Sequence, residues 1–358
     1  MEFSTEYKTI LEQIQRINPI EYAQTRNYTN GAVTRLSPYL THGVIAAKDI
    51  VDAVRSRYSQ AQSKKLIQEL CWREYFQAVH RSRGQDIWSD LRFPQPEVLH
   101  RGVPTRLSDI DTGIQAVDDA LDKLIRTGYM HNHERMWLAA IVCNHAHYHW
   151  KQPSKWLYYH LLDGDIASNT LSWQWVAGSF SSKQYRANQE NINEFSETRQ
   201  PGTFLDVEYN QLDAVDISEA WTEYEEFEYT SELSNIPDYE HDHIEDALIY
   251  HPWMLDPKWR EDDQRTRILL FDTSHFDEYP ISPKRISFIL GLTQNINEIK
   301  VCKCDSRTIQ FTNCISREHP NISHWNLHKD QQNLIVDGLN ERYFKNYFSF
   351  WKAADITT

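Results

Sequence analysis

The sequence predicts a mainly α-helical domain over residues 1–200 and a small α/β unit over residues 265–358, joined by an acidic stretch. Three observations carry this reading. Apolar residues recur at three- and four-residue spacing between residues 46 and 150. Residues 201–250 hold fifteen acidic side chains and no Lys or Arg. After residue 265, short apolar and alternating runs replace the helical period.

The elements follow in order. "SPYL" places Ser37 before a proline, the usual opening of a helix. "AAKDIVDAVRSRY", "SKKLIQELCWREYFQAVHR" and "GIQAVDDALDKLIRT" each carry an apolar stripe, and Gly128 follows the last as a C-cap. "HERMWLAAIVCNHAHYHW", residues 133–150, reads as one further helix. Residues 201–264 read as an acidic linker or a loosely wrapped segment. "RILLFD" suits a buried strand, "SPKRISFILGLTQNI" a helix, and "EIKVCKC" and "RTIQFTNC" further strands. No glycine-rich phosphate loop follows the first strand, so nucleotide binding is not expected there.

Composition narrows the function classes. Aromatic residues make up 13% of the 358, with 12 Trp, which points to a ring-binding site or to an aromatic-rich helical core. The five cysteines are scattered and odd in number, which argues against a disulfide framework and for a reducing, cytoplasmic setting. The opening residues are too polar for a signal or transit peptide, and no apolar run approaches ~18 residues, so no membrane association is expected. The net charge of −14 opposes nucleic-acid binding until it is located. Nearly all of it lies in residues 201–250, and residues 1–200 remain able to present a basic face.

Four stretches carry candidate chemistry. In "VTRLSPYLTHGVI", Thr34, Arg35, Leu36 and Ser37 lead into a helix start, where hydroxyls, a guanidinium and N–H groups cradle phosphate; an ordinary helix cap has the same residues. In "QELCWREYF", Glu69 and Trp72 share a helix face, and Arg73 lies four residues from Glu69, the spacing of an intrahelical ion pair. In "GYMHNHERMW", Asn132 and Met136 share a face with Arg135 beside it. In "LLDGDIASNTLSWQW", Asp163, Gly164, Asp165, Asn169, Trp173 and Trp175 mix carboxylates, an amide and two large rings. His145 and His149 are one helical turn apart, but no glutamate stands beside them and no third ligand is evident, so no metal is expected.

Taken in this order and spacing, the four stretches resemble the FAD-binding helical domain of the photolyase/cryptochrome family, over roughly residues 20–180. The resemblance implies bound FAD. It assigns Thr34, Arg35, Leu36 and Ser37 to the pyrophosphate, with Tyr22 and Arg73 contributing. It pairs Asp163 with Arg135, sets Gly164, Asp165 and Asn132 around the isoalloxazine, and places Asn169 against flavin N5. It makes Trp173 and Trp150 the first two members of an electron-transfer chain. The third has no counterpart, and Trp88, Trp137, Trp156 or a tyrosine are the open choices.

The implied reaction is light-driven repair of cyclobutane pyrimidine dimers flipped out of DNA. Glu69, Trp72, Asn132, Met136 and Trp175 form the implied pocket, with Trp72 and Trp175 stacking the bases and a protonated Glu69 on their carbonyl edge. Branches that repair the (6-4) photoproduct carry histidines where Asn132 and Met136 stand, which favours the cyclobutane dimer. The acidic block predicts a preference for single-stranded damaged DNA; no protein partner is implied. The helical domain begins near Met1, so no antenna domain is expected before it, and the C-terminal unit is expected to cover the helical face that such a domain covers. A blue-light sensor of cryptochrome type is the alternative reading. A flavoprotein that has lost the photochemistry is a third.

Overall fold

A computed structural model describes residues 3–336, 338–339 and 342–354. The chain divides into two compact units that interleave along the sequence. The first comprises residues 1–19, 34–81 and 229–358; the second comprises residues 20–33 and 82–228. These units cut across the linear division expected from composition. Helical residues 34–81 fold with the α/β segment rather than with the rest of the helical region, and the acidic stretch is split, residues 201–228 lying in one unit and 229–264 in the other.

In the first unit, five parallel strands form an open sheet. In chain order they are Ala247–Tyr250, Thr266–Asp272, Lys300–Cys304, Ile315–Arg317 and His328–Asp330. Their spatial order is third, second, first, fourth, fifth. The strand Thr266–Asp272 is buried from Ile268 onward, as its continuous apolar run requires between covered faces. The helix Pro283–Thr293 starts at Ser282, whose side chain accepts from the Arg285 N–H. A crevice between the first and fourth strands is the usual ligand position in such sheets. Here side chains fill it: Trp253 stacks on His319 at 5.3 Å, and His251 Nε2 lies 3.0 Å from the Arg317 carbonyl.

The long helix Gln60–Arg83, up to Arg81, and the loop after Thr41 belong to the same unit. Glu74 accepts the N–H groups of Ile335 and Val336, and Arg81 bonds Glu318 and Gln332. Gly43 adopts φ 58°, and a Cβ there would stand 2.4 Å from the Trp253 carbonyl oxygen, so the close approach demands glycine.

The second unit is helical. Its main elements are Gln115–Thr127, Asn132–Ala140, Lys151–His160 and Ile166–Ala177. The helix expected over residues 133–150 is shorter. It widens into a π turn over Ile141–His145 and ends, because His147 takes φ 55° and its carbonyl accepts the N–H groups of Leu99 and His100. The acidic stretch of this unit is wrapped on, not loose: Trp221 is buried, and its carbonyl accepts the Tyr148 hydroxyl at 2.7 Å.

Candidate functional site

In the second unit a helical hairpin organises the site. Helices Lys151–His160 and Ile166–Ala177 are joined by the short turn 161–165. Gly128 closes the preceding helix at φ 78°; its carbonyl accepts the Leu162 N–H at 2.8 Å, and a Cβ would meet Leu162 at 2.6 Å. The turn is thereby fixed against the start of Asn132–Ala140. That helix is capped reciprocally: His131 accepts the His133 N–H, and Glu134 accepts the His131 N–H at 2.7 Å.

This geometry presents Arg135 to the turn. Its Nε donates to the Met130 carbonyl, and its Nη2 donates to both oxygens of Asp163 at 2.9 Å. The Asp163 side chain is 5% exposed, so the guanidinium is the partner its burial requires. Asp165 is buried as well, and its Oδ1 caps the second hairpin helix by accepting the Ser168 N–H at 2.8 Å. The two aspartates around Gly164 thus have different work, one in an ion pair and one in a cap.

Asn169 follows one turn later. Its Nδ2 donates to the Ser154 carbonyl at 2.8 Å, which fixes the amide orientation and leaves Oδ1 as an acceptor with no partner among the described residues. The same bond sets the hairpin register. Trp150 lies four residues before Ser154 and Trp173 four after Asn169, so the two positions fall at one level of the hairpin backbone. Both are buried. Trp175 is 37% exposed, with Tyr185 at 6.0 Å. Asn132 is exposed and its Nδ2 lies 3.8 Å from Met136 Sδ. Tyr22 is half-buried on the helix Pro19–Thr25.

Among the described residues, the histidines of this unit belong to no cluster that could hold a metal ion. Burial holds His131 and His145 down to about 4. His145 Nδ1 meets the Val215 carbonyl at 3.0 Å, and His149 Nε2 lies 3.4 Å from Asp90, so the two are not on one helix face as their spacing suggested.

The first unit holds the other candidates. The Thr34 carbonyl accepts from Gln13 at 2.7 Å; Arg35 adopts φ 52° and is exposed; Leu36 is buried; Ser37 begins the helix Ser37–Thr41. Arg73 Nη1 donates to Thr41 Oγ1 at 3.3 Å. Glu69 bonds Lys65 at 2.6 Å, and its side chain is 31% exposed. Trp72 is covered: the ring of Tyr347 lies face to face on it, centroids 3.7 Å apart and planes 11° apart. The Tyr347 hydroxyl donates to the Gln68 carbonyl at 2.6 Å, one turn before Trp72.

Sequence reasoning missed Tyr347, Asp90 and Ser154. "NYFSFW" is visibly aromatic, so Tyr347 had a signal, but the pairing with Trp72 spans 275 positions. Ser154 acts through its backbone carbonyl and has no side-chain signal.

Among the described residues, Gln152 Oε1, Trp156 Nε1, Ser168 Oγ and Thr170 Oγ1 on the hairpin are buried without a hydrogen-bond partner, at about 1–3 kcal/mol each. The acceptor left open on Asn169 fits the polar edge of a heterocycle such as flavin.

Residues 66–258 match the family model described as the FAD binding domain of DNA photolyase. A deoxyribodipyrimidine photo-lyase from Streptomyces griseus is 32% identical over 41% of this chain and 32% of its own length. A cryptochrome DASH from Gloeobacter violaceus is 30% identical over 44% of this chain and 33% of its own. Among solved structures, a Synechocystis cryptochrome overlays 55% of this chain and 44% of its own with a TM-score of 0.47 and 24% identity. The chain thus spans about a third of the length of these curated relatives.

Proposed function

From the premise that the chain belongs to the family of the FAD-binding domain of DNA photolyase, we propose that it binds FAD and repairs cyclobutane pyrimidine dimers in DNA when illuminated. The observation that carries this reading is the hairpin turn. Asp163 is locked by Arg135, and Asn169 is oriented by the Ser154 carbonyl, so its Oδ1 is the group offered. An acceptor at flavin N5 favours the states in which N5 carries a proton, which include the reduced form needed to donate an electron. Bound FAD supplies light absorption and that electron.

The chain's own residues do the rest. Thr34, Arg35, Leu36 and Ser37, with Tyr22 and Arg73, hold the diphosphate. Asp163, Gly164, Asp165 and Asn132 border the ring system. Trp173 and Trp150 return electrons to it. Trp72 and Trp175 supply ring faces for the damaged bases, at about 1–3 kcal/mol per stacked base. Glu69, Asn132 and Met136 meet the polar edge of the dimer, and Glu69 must leave Lys65 to do so. The acidic residues 201–250 repel duplex DNA and favour single-stranded substrate. A single-strand and a duplex oligonucleotide carrying one dimer, incubated with the reduced chain under blue light, test both parts. Repair on single strands first is expected; no light-dependent repair from flavin-loaded protein overturns the function, and equal rates overturn the strand preference.

A blue-light sensor remains the second reading because of one observation: Tyr347 already stacks on one face of Trp72. If that stack never opens, light changes the flavin without reaching DNA.

A further inference from the structure

The indole N–H of Trp150 ends on a carboxylate. Trp150 is fully buried, and its Nε1 donates to Asp90 Oδ1 at 2.7 Å. Both partners are built into one network. The Gln95 N–H donates to Asp90 Oδ2 at 2.9 Å, Gln95 Oε1 accepts the Trp150 backbone N–H, and Gln95 Nε2 donates to the Tyr148 carbonyl at 2.7 Å. A neutral carbonyl would satisfy an indole N–H equally well. A carboxylate adds negative charge beside the ring, which lowers the cost of removing an electron from it.

The neighbouring groups leave Asp90 as the proton acceptor. His149 Nδ1 accepts the Lys151 N–H, so its proton is on Nε2, the atom facing Asp90, and it can only donate there. Burial holds His149 below its ordinary value despite Asp90, with Arg101 and Lys151 adding to the effect, and burial pushes the Cys143 thiol up. The Asp90 side chain is 24% exposed and therefore has a route to water that Trp150 lacks.

The charge pattern also orders the rings. Gln174, next to Trp173, bonds the Ile87 carbonyl and the Leu91 N–H, which brings the Asp90 segment against the Trp173 helix. In that segment Trp88 has the Lys155 ammonium 5.3 Å from its ring, a charge that opposes oxidation of Trp88. An oxidising equivalent is held off Trp88 and drawn to Trp150.

We infer that Trp150 rather than Trp88 is the donor that follows Trp173, and that Asp90 accepts the Trp150 indole proton. This rests on the flavin photochemistry proposed above. Bound FAD, oxidised and light-excited, would supply the one-electron oxidant, and Trp173 would pass the electron towards it. Trp150 loses that electron and becomes a radical cation. Its Nε1–H bond then breaks, the proton moves to Asp90 Oδ1, and a neutral indolyl radical and a neutral carboxylic acid remain. The acid releases its proton to water. A soluble thiolate later returns one electron to the ring through the protein and becomes a thiyl radical, and the ring regains its proton from water by way of Asp90.

The test uses the full flavin-loaded chain, a blue pulse and time-resolved absorption, which separates the protonated from the neutral tryptophan radical. The wild type is expected to give a long-lived neutral radical, and Trp150→Phe to abolish it. In Asp90→Asn the radical should stay protonated and recombine, lowering steady photoreduction about 10- to 100-fold, the effect of losing a charge-assisted hydrogen bond. Asp90→Glu should restore the neutral form, which a merely structural role of Asp90 does not require. An unchanged neutral radical in Asp90→Asn, or a long-lived radical surviving in Trp150→Phe, overturns the inference. Should Asp90→Asn not fold, Asp90→Glu decides: a radical that stays protonated there overturns it. Photoreduction unaffected by Trp173→Phe, or a chain that takes up no flavin, sinks the underlying photochemical reading instead.

Discussion

Replacing Tyr347 by alanine separates a substrate pocket that opens from one that does not. Tyr347 is 2% exposed, stacks on Trp72 at 3.7 Å and donates its hydroxyl to the Gln68 carbonyl. The stack contributes about 0.5–1.5 kcal/mol and the hydrogen bond about 1 kcal/mol. A base that takes the ring's place must forfeit both, about 2 kcal/mol, which is about 30-fold in affinity. Tyr347→Ala is therefore expected to bind a dimer-containing oligonucleotide about 30-fold more tightly than the wild type. Tyr347→Phe keeps the stack and loses the hydroxyl bond, so it should gain only about 5-fold. The tail remains tied at Glu74, which accepts from Ile335 and Val336, so the rest of the unit should stay folded. Fluorescence anisotropy with dimer-bearing and undamaged oligonucleotides measures this, and hydrogen exchange at residues 342–354 checks that the helix has loosened. Equal or weaker binding by Tyr347→Ala refutes the reasoning and makes the ring a wall of the pocket or a permanent cover.

Three further outcomes follow from the geometry. Asp163→Ala leaves the Arg135 guanidinium without its carboxylate and should cost about 3–5 kcal/mol in urea unfolding; a loss under about 1 kcal/mol contradicts a working buried pair. Burial holds His131, His145 and His251 at about 4, so the unfolded chain takes up protons below pH 6.5 while the fold does not. Their contribution is present above pH 6.5 and lost as pH falls to about 4, on the order of 3 kcal/mol per histidine, and a melting midpoint flat across that window contradicts it. Burial alone would raise the Asp272 carboxyl, but bonds from His324, Ser306, Ser274 and Trp325 outweigh it and hold the group well below the usual range. Its stabilisation is present above pH 3.8 and lost as pH falls through that lower value; Asp272→Asn should cost at least about 1.5–3 kcal/mol at neutral pH, and a variant as stable as wild type refutes the hub.

The parts of the fold visible in the sequence were those governed by short-range rules. Gly128 caps its helix and Ser282 its own because those positions ask for a particular residue type. The strand at "RILLFD" and the helix after Ser-Pro were legible from period and run length. The helix over residues 133–150 was overextended because its apolar middle continues past the π turn, and only the distant N–H groups of Leu99 and His100 show where the backbone must leave it. Within the candidate site, the Asp163–Arg135 pair was legible because both residues lie in short motifs of fixed spacing. The site was not legible where a partner comes from elsewhere. Lys65 stands as far from Glu69 in sequence as Arg73 does, so the Lys65 pair had no distinct signal in the sequence. Asp90 meets Trp150 across 60 positions, a separation no short-range pattern reveals.

The most direct test is light-dependent repair by the purified, chemically reduced chain. A thymine oligonucleotide carrying a cyclobutane dimer is followed in blue light and in the dark, with Trp72→Ala and Glu69→Ala beside the wild type. Dimer loss only in light, abolished by both substitutions, is the predicted result. Bound, reduced flavin with no dimer loss in light contradicts repair and leaves the sensor.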